Sequence, residues 1–411
     1  MRLNEPSGLI ICLVTCLLGV GMLMVYSSDW ASSMGIKSSG YEVPVRHAIG
    51  LVIGVVAMVG IIWLGYWRLE PPFIAYIILG LAAFGLILVL IPGIGDVHGG
   101  ARRWIRFGSL IGFQPSEFAK LGMILFLAGW AANNRDRMHE LFRGFLIPLA
   151  AIAGLTGLTV LEPDFGTATF MAALGIMIMV VAGTRWSYVG ITVAAALPVI
   201  GLLAYLEPYR RARLLAFMDP WGDSSGAGYH LIQSWIALGS GGLTGKGLGE
   251  GHQKLLFLPE SSGDFIFAVL GEETGFLGTF GLLAVFAVLV WQGLRVANMA
   301  KDHFGHVLAL SVTFMIGYQA AFNMAVALGC VPTKGIALPF ISSGGSSILS
   351  SLIAVGLLLS VARRYESEGA FLGWPWRTSA RGEGVMEQRP VRPAWGRKVF
   401  TNKKIEGMVR P

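Results

Sequence analysis

The side chains best suited to chemistry in this sequence are ionisable residues at the ends of, or inside, long apolar segments. Asp264 opens the apolar part of LPESSGDFIFAVLGEETGFLG, and Glu272 and Glu273 follow about 12 Å further along a helix. Such charges are costly in lipid and therefore face protein or a water-filled cavity. Asp264 is placed to act as a general base at a helix mouth, or to cap that helix after Gly263. Glu272 and Glu273 favour an ion pair that locks two helices together.

Cations whose geometry suits phosphate oxygens form a second group. The segment GARRWIRFGS places Arg102, Arg103 and Arg106 around a tryptophan, which is a common arrangement at a membrane boundary. Arginine also offers paired donors that match the oxygens of a pyrophosphate. In FQPSEFAKLGM, Glu117 and Lys120 lie three residues apart and can pair on one helix face, which indicates a structural role.

Three irregular stretches complete the polar set. EPDFGT at 162–167 and VPTKGIALPFISSGGSS at 331–347 are rich in helix-breaking residues, and such backbone is tolerated near membrane depth only where it lines a cavity. A longer polar stretch, at about 207–263, reads most simply as a solvated loop beside lipid headgroups. It carries the cations Arg210, Arg211, Arg213, Lys246 and Lys254. Together with Asp264, these stretches indicate one cavity that opens to the outside.

The composition identifies the elements that must position these residues. Only 13% of the 411 residues are charged, about half the ~25% of a soluble domain, and 54% are hydrophobic. The 56 glycines show no collagen period and suit close helix packing in lipid. The cysteines Cys12, Cys16 and Cys330 match neither a disulfide framework nor a zinc site. This composition excludes a disordered chain and a soluble enzyme, and it predicts a polytopic membrane protein.

We predict an all-α integral membrane protein with about ten transmembrane helices. The first apolar segment runs too long for a cleaved signal peptide and is counted as a span. The fourth and tenth segments, at about 24 Å, are short for a hydrocarbon core of ~30 Å, and the eighth is too long for one straight crossing. The predicted spans are 8–26, 48–67, 73–91, 117–132, 145–161, 167–183, 186–206, 265–293, 307–329 and 347–362.

The distribution of charge sets the predicted orientation. Residues 363–411 hold 11 Lys and Arg against 5 Asp and Glu, so this end carries most of the net charge of +7. Basic segments beside a membrane favour the cytoplasmic side, and an even number of spans then places both termini there. We therefore predict a membrane domain at 1–365, with a long outer loop at about 207–263, and a disordered basic cytoplasmic tail at 366–411.

Several long motifs, in order along the chain to about residue 365, resemble the SEDS family (shape, elongation, division and sporulation) of integral-membrane peptidoglycan polymerases. The last of these motifs, with its Lys334, is most similar to the cell-division members. Two positions depart from the family pattern, Gly263 where threonine is usual and Ser343 where tyrosine is common, and they leave substrate details open. The motifs are GARRWI at 100–105, QPSEFAKL at 114–121, EPDFGTA at 162–168, RRAR–FMDPW at 210–221, GYHLIQSWIALGSGGLTGKGLGEG at 228–251, LPE…DFIFAVLGEETG at 258–275 and PTKGIALPFISSGGSS at 332–347.

The resemblance implies polymerisation of lipid II, an undecaprenyl-pyrophosphate disaccharide-peptide, at the outer face of the cytoplasmic membrane. A sugar hydroxyl attacks the anomeric carbon of the growing chain with inversion, and undecaprenyl pyrophosphate leaves. Asp264 matches the family carboxylate proposed as general base. The implied substrate-binding residues are Arg102, Arg103, Lys254, Arg210, Arg213, Lys334 and Ser346. The residues implied to organise the cavity wall are Glu117, Lys120, Asp164, Glu260, Glu272 and Glu273.

The resemblance also sets expectations for cofactors and partners. It implies no fixed cofactor, and it allows a divalent cation, Mg²⁺ or Mn²⁺, at the pyrophosphate. The expected partners are lipid II, undecaprenyl pyrophosphate, membrane lipid, a class B penicillin-binding transpeptidase and other divisome proteins, and no nucleic acid. The expected location is the bacterial cytoplasmic membrane at the division septum.

One alternative is a lipid II flippase, which would use the same cations and lipid groove, and another is a non-catalytic divisome scaffold, in which the basic tail would be the working part. Polymerase is favoured because the ionisable residues concentrate at the predicted outer ends of the spans, and because the sequence lacks the inverted repeat of many transporters. Outward catalysis further predicts that a set of residues from separate segments lines one cavity near the outer leaflet. That set is Asp264, Arg102, Arg103, Lys254 and Lys334.

Overall fold

The chain folds into long helices joined at one end of the bundle by a small sheet. A computed structural model describes residues 5–33, 42–98, 101–107, 111–254 and 262–371. The α-helices are α1 (Pro6–Ser33), α2 (Glu42–Leu64), α3 (Pro72–Leu90), α4 (Pro115–Asn133), α5 (Ile147–Leu161), α6 (Phe165–Val181), α7 (Trp186–Leu206), α8 (Pro208–Met218), α9 (Tyr229–Gly241), α10 (Ile266–Met299), α11 (His303–Ala327) and α12 (Gly345–Phe371). Residues 366–371 of the tail predicted to be disordered continue helix α12, and the rest of that tail lies outside the described residues.

Eight helices within the described ranges are long and apolar enough to cross a membrane. The predicted all-α membrane fold is confirmed, whereas the count of ten is not. The two remaining candidates are α4 and α6. Helix α6 is 17 residues long and reaches about 26 Å, less than a ~30 Å hydrocarbon core. Helix α4 includes a charged pair, which is tolerated because nearly all of this helix is buried among its neighbours.

The helices divide into a buried centre and a lipid-facing periphery. Helices α4, α11 and α12 are mostly buried, and α4 packs against α3, α11 and α6. Helices α2, α3 and α7 instead expose large apolar side chains such as Trp63, Phe73 and Leu197, as helices facing lipid do.

Helix α10 is broken at Gly275, whose φ of 68° and ψ of −164° lie far from helical values. The sequence predicted that this segment is too long for one straight crossing. The structure uses a break instead. Only glycine adopts this backbone conformation readily, and a side chain at Gly275 would also overlap the backbone of Gly245.

The segment 242–247, which precedes α10 in the chain, fills this break. The N–H groups of Lys246 and Gly247 donate to the carbonyls of Glu272 and Glu273 at 3.0 and 3.1 Å. The two N–H groups after the break donate to carbonyls of the same segment at 2.9 and 3.1 Å. Four backbone groups freed by the break are thereby paired within protein, as membrane depth requires. Part of the predicted outer loop thus packs against α10, and the same stretch also contains α8 and α9.

A three-stranded antiparallel sheet connects α3 to α4. Its strands are β1 (Gly95–His98), β2 (Ala101–Phe107) and β3 (Ile111–Phe113), in the order β1–β2–β3. The sequence analysis interpreted this region as an interfacial anchor and missed the sheet. Its strands are short, and the period-2 signal of ARRWIRF is masked by its three arginines. We call the end of the bundle that carries this sheet the sheet end.

Candidate functional site

A cavity of about 740 Å³ lies at the sheet end and is built from elements far apart in sequence. Its walls come from α2, the sheet, α4, α6, α8, the turn before α10 and the loop between α11 and α12. The charged residues that line it are Arg46, Arg103, Arg106, Glu117, Lys120, Asp164, Arg213 and Asp264. A carboxylate at a helix mouth and several arginines therefore share one space.

Asp264 lies in the turn directly before α10 and is partly buried. Its backbone carbonyl accepts a hydrogen bond from the Asn323 side chain at 2.8 Å, and the same amide donates to the carbonyl of Ile336 at 2.8 Å. Its carboxylate lies against Gly335, where a Cβ atom would approach within 2.8 Å of Oδ2. The N-cap position of α10 belongs to Phe265, so the capping alternative does not describe Asp264.

The turn before α10 is fixed to the loop before α12 at the two positions that depart from the family pattern. The Ser342 hydroxyl donates to the carbonyl of Gly263 at 2.8 Å, and it accepts from the N–H of Leu338 at 2.8 Å. The N–H of Ser343 donates to the carbonyl of Ser262 at 2.9 Å. Gly263 thus participates through a backbone atom, which other residue types also supply, whereas Ser343 adds a hydrogen bond from its hydroxyl to that of Ser262 at 3.4 Å.

Ser346, predicted to bind substrate, lines the cavity and ties α12 to the sheet. Its hydroxyl donates to the carbonyl of Gly112 at 2.9 Å and accepts from the N–H of Gln114 at 3.0 Å. Both contacts attach α12 to the short stretch where β3 ends and α4 begins. The hydroxyl is therefore already engaged in positioning the cavity wall.

Glu117 and Lys120 form the predicted pair, at 2.8 Å between Nζ and Oε1. The second oxygen of Glu117 accepts from the Ser350 hydroxyl at 2.8 Å, and Lys120 also donates to Gln319 at 3.2 Å. The pair is buried and joins α4 to α11 and α12. Because both charges are partnered, their burial is tolerated, and removing either would leave the other uncompensated.

Asp164 caps α6 and contacts a cavity arginine. Its Oδ1 accepts from the N–H of Thr167 at 3.1 Å, and its Oδ2 accepts from the Thr167 hydroxyl at 2.9 Å. Arg103 lies with Nη1 at 3.9 Å from Oδ2 and donates through Nη2 to the carbonyl of Pro163 at 3.5 Å. Asp164 itself is 4% exposed. Because solvent screens its charge little, that charge acts mainly on the groups packed against it.

The remaining predicted cations meet around the same helix start. The Lys334 ammonium and the Arg210 guanidinium lie 5.1 and 4.9 Å from the ring centroid of Phe165. Arg213 donates to the carbonyl of Thr333 at 3.3 Å, next to Lys334. Burial lowers the pKa of Lys334, and the charge of Asp164 opposes that shift. Cations from the sheet, α8 and the α11–α12 loop therefore converge at the N-terminus of α6.

Glu162 is a functional candidate that the sequence analysis missed. It is fully buried, and neither carboxylate oxygen has a hydrogen-bond partner. Burial raises the pKa of Glu162 to about 8, the neighbouring charge of Asp164 adds to the increase, and Arg103 opposes it. Its side chain is therefore mostly protonated at neutral pH. The sequence signal is a second carboxylate two residues before Asp164, in a segment interpreted only as a turn.

Four of the predicted substrate contacts do not line the cavity, namely Arg102, Arg210, Lys254 and Lys334. The ammonium of Lys254 is buried at 2.6 Å from Glu273 Oε1 and also donates to the Ser27 hydroxyl at 2.6 Å. Of the five residues predicted to line one cavity, Asp264 and Arg103 do so, whereas Arg102, Lys254 and Lys334 do not. Glu260, predicted to belong to the wall, lies outside the described residues.

Glu272 and Glu273 have the structural role that their positions favoured. Lys246 pairs with Glu272 at 2.7 Å, as Lys254 does with Glu273. Three backbone N–H groups of residues 249–253 donate to the same two carboxylates at 2.9–3.1 Å. These contacts fasten the inserted segment to α10, so the ion pairs are present as predicted, but they join a helix to a non-helical segment rather than two helices.

No group of three His, Cys, Asp or Glu side chains within the described ranges is placed to hold a metal ion. Glu162 and Asp164 are two carboxylates beside Arg103, which is a poor protein cage for a divalent cation. The protein's own contribution of positive charge at the cavity therefore comes from arginine and lysine.

The fold and this cavity together define a class of multi-pass membrane proteins in which carboxylates and cations share a cavity at one end of the bundle. The family model for FtsW, RodA and SpoVE, described as cell cycle protein, matches residues 8–367. The chain therefore belongs to this family, which confirms the resemblance found in the motifs.

Individual relatives agree with this assignment. A protein of Geobacter metallireducens named probable peptidoglycan glycosyltransferase FtsW is 40% identical over 86% of this chain and 94% of its own. A chain in a solved peptidoglycan synthase complex that coordinates polymerization and crosslinking matches with a TM-score of 0.71 and 27% identity, over 89% of this chain and 99% of its own. The crystal structure of the rod shape determining protein RodA of Thermus thermophilus matches with a TM-score of 0.62 and 26% identity, over 86% and 95% of the two chains.

Proposed function

We propose that this protein is a peptidoglycan glycosyltransferase that polymerises lipid II into glycan strands during cell division, with Asp264 as general base. The observation that supports the proposal is the shared cavity, which holds Asp264 together with Arg103 and Arg213. The names of the relatives support the same reaction class.

In the proposed reaction a sugar hydroxyl of one substrate attacks the anomeric carbon of the other. Asp264 accepts the hydroxyl proton as the new glycosidic bond forms, and the bond from the anomeric carbon to the pyrophosphate oxygen breaks. Undecaprenyl pyrophosphate leaves with the bonding electrons, and the cavity cations stabilise the charge that develops on it. Displacement in one step inverts the anomeric centre and needs no covalent carboxylate intermediate.

The apolar wall formed by α2 suits the polyprenyl chain of such a substrate. Val43, Ile49 and Ile53 line the cavity on this side, and Ile53 and its neighbour Val52 are exposed toward the lipid-facing surface. A lipid-linked substrate could thus keep its tail in the bilayer while its pyrophosphate reaches the cations. We propose that the sheet end faces the outside of the cytoplasmic membrane, with both termini inside the cell at the septum.

The proposed partners follow from the same reaction. A class B penicillin-binding transpeptidase would cross-link the strands, and the similar chain in a complex that coordinates polymerization and crosslinking supports such an assembly. Further divisome proteins are proposed as additional partners. A divalent cation, Mg²⁺ or Mn²⁺, stays a proposal, and its ligands would have to include substrate phosphate oxygens.

The decisive experiment is a polymerisation assay with labelled lipid II and purified protein, with and without the transpeptidase. We expect Asp264→Asn to reduce glycan synthesis by about 10²–10⁴-fold, the usual cost of losing a general base. Asp136→Asn makes the same change at an exposed residue far along the chain and serves as the matched control. Near-normal synthesis by folded Asp264→Asn protein would remove Asp264 from the mechanism. Transbilayer movement of lipid II by wild-type protein without polymer would favour the flippase alternative.

A further inference from the structure

We infer that Asp164 is a positioning residue that holds Arg103 in place for the pyrophosphate group of the substrate, with Lys334 as a second cation at the same helix start. The inference rests on the proposed function and assigns a part of the cavity to the leaving group. It concerns the start of α6, where cations from three elements converge around one carboxylate.

Arg103 is held at the cavity without being fully neutralised. Its closest approach to Asp164 is 3.9 Å, longer than a hydrogen bond, and its side chain remains 31% exposed. The contact with the carbonyl of Pro163 fixes the guanidinium from the same side. Further N–H donors of the guanidinium fork are left for phosphate oxygens, which arginine binds in pairs.

Lys334 depends on Asp164 in a different way. Its aliphatic stem passes Gly166, where an added Cβ would lie 3.6 Å from Lys334 Cβ, and its ammonium lies over the Phe165 ring. Burial favours the uncharged amine, and Asp164 opposes that effect through its negative charge. Asp164 thus preserves a cation that the rest of its surroundings would weaken.

The local charge balance leaves this cluster positive. Asp164 provides one negative charge, while Arg103, Lys334 and Arg210 each bring a positive charge to the same helix start. The nearby Glu162 adds little negative charge at neutral pH because burial keeps it mostly protonated. The first N–H groups of α6 contribute in the same direction. A pyrophosphate is the complementary ligand for such a cluster.

The competing explanation is that Asp164 only caps α6 through Thr167. The two roles separate in Asp164→Asn, because asparagine caps a helix about as well as aspartate but carries no charge. Asp164→Glu keeps the charge and serves as the rescue variant. Asp219→Asn is the matched control, since Asp219 also accepts a hydrogen bond from a backbone N–H, that of Gly222 at 3.2 Å, and is exposed outside the cavity.

The experiment measures binding of undecaprenyl pyrophosphate and of uncharged undecaprenol in the Asp264→Asn background, and polymerisation with Asp264 intact. We expect Asp164→Asn to weaken undecaprenyl pyrophosphate binding about tenfold or more, with undecaprenol binding and thermal stability unchanged. We expect the polymerisation defect to be larger at low substrate, and Asp164→Glu to recover part of the binding.

The other possible outcomes separate the positioning role of Asp164 from a capping role and from the proposed function. Undecaprenyl pyrophosphate binding by Asp164→Asn that equals the background protein, with wild type polymerising normally, would overturn the positioning role. An equal loss for both lipids, or a fall in thermal stability absent from Asp219→Asn, would assign Asp164 to capping alone. A wild-type protein that binds undecaprenyl pyrophosphate but makes no polymer would refute the proposed function while leaving the binding site standing.

Discussion

Replacing Glu162 by glutamine tests whether a fully buried carboxyl next to the cavity is protonated. The folded state binds the proton of Glu162 up to about pH 8, whereas an unfolded chain releases it near 4.5. Between these values the unfolded state holds fewer protons than the folded state, so the free energy of unfolding of the wild type falls as pH rises. Below 4.5 both states are protonated and this contribution vanishes. Above about 8 both are ionised and the cost stays constant.

The magnitude follows from the same two values. Each pH unit in this interval removes about 1.4 kcal/mol from the wild type. The cost is therefore about 3 kcal/mol at pH 7, for a carboxyl that ordinarily titrates near 4.5. Glutamine matches the shape of the protonated side chain and does not titrate. Glu162→Gln should therefore gain stability relative to the wild type as pH rises.

Chemical unfolding in detergent micelles at several pH values measures this difference. From about pH 5.5 to about pH 7.5, the variant should gain about 2.7 kcal/mol relative to the wild type. Glu140→Gln, which makes the same change at an exposed residue, should follow the wild type throughout. Parallel curves for Glu162→Gln and wild type over this range would show that Glu162 is ionised in the folded protein, and the argument for a positive cluster at α6 would lose that support.

Two further predictions concern the break in α10. Lys254→Met should destabilise the protein by about 3–5 kcal/mol because it leaves Glu273 charged and buried without its partner, and adding Glu273→Gln should recover much of that loss in thermal unfolding. A single variant as stable as the wild type would contradict the buried pair. Gly275→Ala should lower the yield of folded protein in size-exclusion chromatography, since its Cβ overlaps the backbone of Gly245, whereas Gly281→Ala in the same helix meets no atom within 4 Å and should be neutral. Equal yields of the two alanine variants would show that the break is dispensable.

The sequence predicted what depends on local pattern. Apolar runs located the long helices, and the i,i+3 spacing of Glu117 and Lys120 identified a pair that the structure contains. The motifs identified the family, and they grouped Asp264 with Arg103 before any geometry was known. Each of these inferences needed only residues close together in the chain, or a resemblance that spans it.

Nonlocal packing decided the rest. Lys254 lies ten residues before Asp264 in sequence, yet it forms an ion pair with Glu273. This happens because the segment that precedes Lys254 inserts into the break of α10. The burial of Glu162 depends on neighbours that a turn motif does not reveal. The position of the break could have been suspected from Gly275 within an over-long span, but its partner segment could not.

The break also divides α10 into a long part that can anchor the protein in the membrane and a short part that positions the start of the helix at the cavity. Residues 276–299 extend about 36 Å as a helix and can cross a bilayer alone, whereas residues 266–274 extend only about 14 Å. The short half begins two residues after Asp264. The inserted segment, with its two lysine–glutamate ion pairs, holds this half against the rest of the protein. A thicker or thinner bilayer would tilt the long half while the short half keeps its place against the cavity. The position of the Asp264 carboxylate at the cavity is thus independent of changes in the thickness of the membrane that holds its substrate.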